Sequence, residues 1–168
     1  MKFLSVFICS VLLSLTPVFA DVPKISSDAE ARAFVKSEAV VDAAFTERVA
    51  LIDEVIASLP ENADPLIWAR LTETKLYALT AMGNYAVASS FLMDIEDRFF
   101  PIAEGTDFYL SALASGAFIF SYTGNFEKAL EFCDQGLAAS RHDPSLLSIK
   151  AIIECELGRV PWGAQVTV

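Results

Sequence analysis

The sequence lacks the residues that most enzymes use. It contains one histidine, three cysteines and seven glycines among 168 residues. His142 stands alone in a predicted turn, and no serine or cysteine has a catalytic partner at motif spacing. Phosphate-binding glycine loops are also absent. Acidic neighbours such as Asp53 and Glu54 point to different faces of a helix. We therefore expect no catalytic residues, no metal and no cofactor.

Basic residues are scarce as well. The chain has 12 Lys and Arg against 22 Asp and Glu, which gives a formal net charge of −10. Such a charge repels the phosphates of nucleic acids and of anionic lipids. We therefore expect no nucleic acid as a partner. The acidic charge favours solubility, and a basic partner is compatible with it but not implied.

Long apolar runs are missing except at the start of the chain. Lys2 precedes an uncharged apolar run over 3–15, Pro17 interrupts it, and Val18-Phe19-Ala20 places small residues where signal peptidase needs them. The run is short for a bilayer span, which takes about 20 residues. We predict a cleaved signal peptide over 1–20, an uncleaved anchor being the alternative, and one exported domain over 21–168 that is not inserted in a membrane. Its compartment would be periplasmic or secreted, a bacterial periplasm being our guess.

Two cysteines follow the predicted cleavage site. In an oxidising compartment Cys133 and Cys155 could form a disulfide, or both could be packing residues on neighbouring helices. A metal site would also require His142, and no carboxylate stands at ligand spacing beside both cysteines.

A short sequence motif, which we call the repeated phrase, recurs along the chain. It consists of a glycine, a polar residue, an apolar residue, two free positions and a small residue, and it begins at Gly83, Gly124 and Gly158. The gaps are 41 residues (124 minus 83) and 34 residues (158 minus 124). Recurrence at this period predicts stacked helical hairpins, with the glycines in the turns.

Helix signals surround these turns. Ser27 and Glu30 have capping-box spacing, and apolar residues then recur on one predicted face as far as Pro60, with a break near Ser37. That face consists of Val41, Phe45, Val49, Ile52, Ile56 and Leu59. Asp-Pro pairs at 64–65 and 143–144 open later helices, and we expect Pro101 to end the helix that starts at Tyr85. The extra residues of the first gap, around 97–106, could lengthen that helix or form a loop.

The second hairpin resembles a tetratricopeptide repeat, a helical pair of about 34 residues. With Gly124 in the family's turn, Leu113 and Phe120 take its large positions, and Ala117 and Ala129 take its small positions. Gly116 stands where the family usually has a leucine. The resemblance implies an all-α fold, a right-handed α-α superhelix of about two and a half repeats behind an N-terminal helical segment. The hairpins would span about 64–100 and 106–140, with a half-repeat at 143–158 and a tail at 159–168.

The resemblance also implies a concave groove lined by the first helix of each hairpin. An apolar ladder of Tyr77, Phe118 and Ile152, joined by Tyr122, would bind a protein or peptide. The full set of groove positions is Arg70, Glu73, Tyr77, Thr80, Ser111, Ala114, Phe118, Ser121, Ser145, Ser148, Ile152 and Cys155. Alternatively, the segment 27–59 or the C-terminal tail covers the groove.

The half-repeat suggests a second function. An unpaired last helix leaves an apolar flank that solenoids normally cap. Val160, Trp162 and Val166 could provide the cap. Otherwise the protein would be a structural or sensory module of the cell envelope, which would form a homodimer or dock into a complex through this flank. An exported scaffold or adaptor that binds through its groove is the first hypothesis.

Overall fold

The structure, a computed structural model, describes residues 22–159. All regular secondary structure in this range is helical. This range contains no strand, so the all-α class is confirmed. The predicted signal peptide and the proposed cap over 160–168 lie outside it. The helices, in chain order, are α1 (Asp28–Val35), α2 (Glu38–Val41), α3 (Phe45–Ser58), α4 (Pro65–Ala81), α5 (Tyr85–Ala103), α6 (Tyr109–Tyr122), α7 (Phe126–Ala139) and α8 (Pro144–Glu156).

The repeated phrase ends one helix and starts the next. Gly83, Gly124 and Gly158 follow α4, α6 and α8 with φ of +72°, +77° and +68°, a region that side chains with a Cβ resist. Asn84 and Asn125 then cap α5 and α7, their side-chain oxygens accepting hydrogen bonds from the backbone N–H three residues on. Turn and cap therefore come from two adjacent residues.

The capping of α1 departs slightly from the expected box. The Ser27 hydroxyl accepts from the Glu30 N–H at 3.2 Å, as predicted. The Glu30 carboxylate, however, accepts from the backbone N–H of Ser26 at 2.7 Å and from its hydroxyl at 2.9 Å. The carboxylate therefore reaches one residue further back and still satisfies a free donor near the helix start.

Pro101 does not end α5, contrary to the sequence-based prediction. The helix continues to Ala103, so the extra residues of the first gap lengthen it. Ala103 is fully buried beside Phe99 and Phe108, whose ring centroids are 6.3 Å apart. Burial of this last turn offsets the hydrogen bond that proline cannot make.

The predicted apolar face of the N-terminal segment is wrong at its start. Val41 and Phe45 are exposed, whereas α3 buries Leu51, Ile52 and Val55. The backbone leaves the helix between α2 and α3, so the helical period that links Val41 to Phe45 does not hold across the break.

The core lies between successive helices. Each helix packs on the next one along the chain, and α4, α6 and α8 also contact one another in that order. Gly116 lets α6 and α7 approach closely, because a Cβ at this position would lie 3.2 Å from side-chain atoms of Leu92 and Phe132. A side chain at this position would therefore force the Leu92 and Phe132 side chains to shift.

Candidate binding groove

Two adjoining cavities run along α4, α6 and α8. The larger, of about 630 Å³, lies between α6 and α8. The smaller, of about 430 Å³, lies between α4 and α6, and both cavities are lined by Phe118 and Ile149. We call the two cavities together the groove. Of the predicted site residues, Tyr77 lines the smaller cavity, Phe118 lines both, and Tyr122, Ser148 and Ile152 line the larger.

The apolar ladder faces solvent over most of its length. Tyr77 is 51% exposed, Tyr122 62% and Ile152 51%. Phe118 is half-buried. Large apolar side chains that stay this exposed along a continuous depression are typical of a surface that binds a partner.

Three aromatic rings form the centre of the groove. Phe118 and Tyr122 have ring centroids 4.6 Å apart, and Tyr85 lies 4.6 Å from Tyr122 and 5.7 Å from Phe118. These separations are favourable for aromatic pairs, so each ring restricts the others. The cluster therefore offers a continuous aromatic surface, and the packing of its rings on one another lowers the entropy that they lose on binding.

Tyr85 and Phe126 were not among the predicted groove residues. Both are the apolar residue of the repeated phrase, and they are the first residues of α5 and α7. Tyr85 packs on Phe118 of the following hairpin, and Phe126 lines the larger cavity beside α8. Their shared position in the repeated phrase could have predicted this, because the phrase lies where one hairpin meets the next along the groove.

Arg70 does not face the groove, which corrects the prediction. Its side chain is buried, donates to Asp28 at 2.7 Å and to Asp107 at 3.0 Å, and lies over the Phe108 ring at 4.8 Å. Arg32 of α1 donates to the same Asp107 at 2.8 Å. We call Asp28, Arg32, Arg70 and Asp107 the Arg70 clasp. It holds α1 against α4, so the N-terminal segment covers Arg70, whereas Tyr77 stays 51% exposed although the Phe45 ring lies 6.3 Å from it.

The clasp changes the titration of its carboxyl groups. Hydrogen bonds from Arg70 hold the pKa of Asp28 and of Asp107 below the ordinary range, and the charges of Arg70 and Arg32 act in the same direction. Glu73, the next predicted groove residue, lies outside both cavities. Burial raises the pKa of its carboxyl, although the Ser111 hydroxyl donates to it at 2.7 Å.

The cysteines are free thiols in the structure. Cys133 is fully buried in the core and Cys155 is half-buried. Burial raises the pKa of the Cys133 thiol to about 11. The structure thus favours core packing over the disulfide for Cys133, and makes that thiol a weak nucleophile at neutral pH.

Thiol titration of a chain beginning at Asp21 will test this. We expect Ellman's reagent to modify Cys155 in the native protein and to modify Cys133 only after unfolding. A Cys155→Ser variant should then show almost no fast reaction. Two thiols that appear only after reduction would show that the disulfide forms.

Neither a metal site nor a membrane-spanning helix is found in the described part of the chain. Residues 22–159 contain no group of three or more histidine, cysteine, aspartate or glutamate side chains that could hold a metal ion. None of their helices combines the length and apolar character that crossing a membrane requires.

Comparison with known proteins identifies no relative, since no family model, no curated protein and no solved structure matches the sequence. The groove is therefore the feature of this chain that indicates a function.

Proposed function

We propose that this chain is an exported, non-catalytic scaffold or adaptor of the tetratricopeptide type, whose groove binds a segment of another protein. One observation carries the proposal, the exposed ladder of Tyr77, Tyr122 and Ile152 along two adjoining cavities. Apolar anchors of this size are the side chains that contribute most to protein–protein affinity. The contacts of α4 with α6 and of α6 with α8 support the stacked-repeat arrangement. Export is proposed from the sequence of residues 1–20.

The groove can be tested with a peptide selected from a random library against the wild-type protein. We expect the double variant Tyr122→Ala/Ile152→Ser to bind that peptide at least about tenfold more weakly, because it removes two exposed anchors. Fluorescence anisotropy with the labelled peptide measures the affinity. Circular dichroism checks that the variant stays folded.

A matched control is available on α5. Val87 and Met93 are as exposed as the anchors but line neither cavity. The variant Val87→Ser/Met93→Ala should bind like the wild type. Equal weakening in both variants would mean that general surface apolarity, and not the groove, carries the binding, and the proposal would be wrong.

The second candidate is the structural or sensory envelope module, which would self-associate or dock through the C-terminal flank. Leu147 and Leu157 favour it, because these exposed side chains of α8 and its C-cap lie outside the groove. The two functions use different surfaces and can be separated by mapping where a partner binds.

A further inference from the structure

No lysine or arginine is among the residues that line the two cavities of the groove. Helix α6 carries no charged residue at all, from Tyr109 to Tyr122. On α4 and α8 the cations are Arg70, Lys75 and Lys150, and each donates to a carboxylate from another element. The shortest of these contacts are 2.7 Å from Arg70 to Asp28, 2.6 Å from Lys75 to Asp53 and 2.6 Å from Lys150 to Asp134.

The carboxylates of the same helices are arranged differently. Glu156 lines the larger cavity, is exposed, and has no ion-pair partner among residues 22–159. Glu73, near the other end of the ladder, has no ion pair in this range either. The net charge of −10 on the whole chain has the same sign as these two carboxylates.

We infer that the groove selects protein segments that are cationic as well as apolar, an inference that rests on the proposed function. Apolar side chains of the partner would lie on Phe118 and Ile149, which line both cavities. A lysine or arginine would then pair with Glu156. The exposed Tyr122 ring lines the same cavity, and an aromatic ring attracts a cation that lies over its face.

The polar residues of the larger cavity fit a peptide ligand. Ser121, Ser145 and Ser148 line it. The hydroxyls of Ser145 and Ser148 can donate to and accept from a peptide backbone, whereas the Ser121 hydroxyl donates to the Phe118 carbonyl at 2.7 Å and can only accept. The larger cavity thus combines an apolar floor, neutral hydrogen-bonding groups and one free carboxylate. An acidic segment would meet only repulsion, because no free cation in the groove compensates for it.

The test selects peptides from a random phage-displayed library against the protein that begins at Asp21. We expect the selected peptides to be enriched in lysine and arginine together with leucine, phenylalanine or other apolar residues. Synthetic copies should weaken when their basic residues are changed to glutamine, and their affinity should fall as salt is added. Glu156→Gln should weaken binding about fivefold, as expected for a partly exposed ion pair.

A control separates local from global charge. Glu61→Gln removes the same charge from an exposed residue in the turn before α4 and should leave the affinity unchanged. If the peptides depend on Tyr122 and Ile152 but are neutral or acidic, or if Glu156→Gln and Glu61→Gln bind alike, the charge inference is wrong and the groove function stands. If no selected peptide depends on Tyr122 and Ile152, the groove function itself is wrong.

Discussion

Replacing Phe120 with alanine is expected to destabilise the protein by about 3–5 kcal/mol. Phe120 is 1% exposed and stacks on Phe132 with ring centroids 5.6 Å apart. Its removal would leave a cavity between α6 and α7, which are held closely together at Gly116 and cannot easily collapse further. Chemical denaturation followed by circular dichroism measures the free energy of unfolding.

Tyr122, two residues later on the same helix, is the control for this prediction. Its ring is exposed and packs on the half-buried rings of Phe118 and Tyr85. Tyr122→Ala should therefore cost about 1 kcal/mol or less. Equal destabilisation by the two variants would contradict the division of α6 into a core face and a groove face.

Replacing Arg70 with methionine should have the second-largest effect, a loss of about 2–3 kcal/mol at pH 7. Methionine retains the packing on Phe108 but leaves Asp28 and Asp107 without their main partner. The cost stays below that of a fully buried ion pair because both carboxylates can regain water. Arg32→Met is the control, since Arg32 is exposed and should cost about 1 kcal/mol or less.

The pH dependence of stability should identify the clasp. The folded pKa values of Asp28 and Asp107 lie below the ordinary 3.8. Their stabilising effect is therefore complete above that value and is lost as pH falls through the folded values. Arg70→Met should lose less stability than the wild type over this acidic range. Parallel pH curves for the two proteins would contradict the account of the clasp.

Glu73 has the opposite effect on the pH dependence of stability. Its folded pKa is raised above the ordinary 4.5, so the folded state binds the proton more tightly than the unfolded state. Acidification through the raised value therefore adds a stabilising term before the carboxylates of the clasp are protonated. Glu73→Gln removes this term and makes it possible to read the contribution of Asp28 and Asp107 separately.

Local signals made much of the architecture predictable. Asn84 and Asn125 act through neighbouring backbone groups, and Gly83 and Gly124 need only their own conformation, so sequence spacing was enough. Pro101 shows the limit of such reasoning. Its local preference predicts a helix end, but burial of the following Ala103 outweighs it.

The groove was predictable where it follows the repeat and not where distant residues meet. Tyr77, Phe118 and Ile152 each stand six residues before a glycine of the repeated phrase, and all three line the cavities. The same alignment predicted Arg70 in the groove, but its partners Asp28 and Asp107 lie 42 and 37 residues away in sequence. A periodic sequence pattern carries no information about such long-range pairs, so only the structure shows that α1 covers the Arg70 end of the groove positions.

Mapping the selected peptide by nuclear magnetic resonance tests the central claim most directly. On titration into the labelled protein, the account predicts the largest chemical-shift changes at Tyr77, Phe118, Tyr122 and Ile152, with little change at Val87 and Met93. Changes concentrated at Leu147 and Leu157, with the ladder unaffected, would contradict the groove as the binding surface and would favour the C-terminal flank.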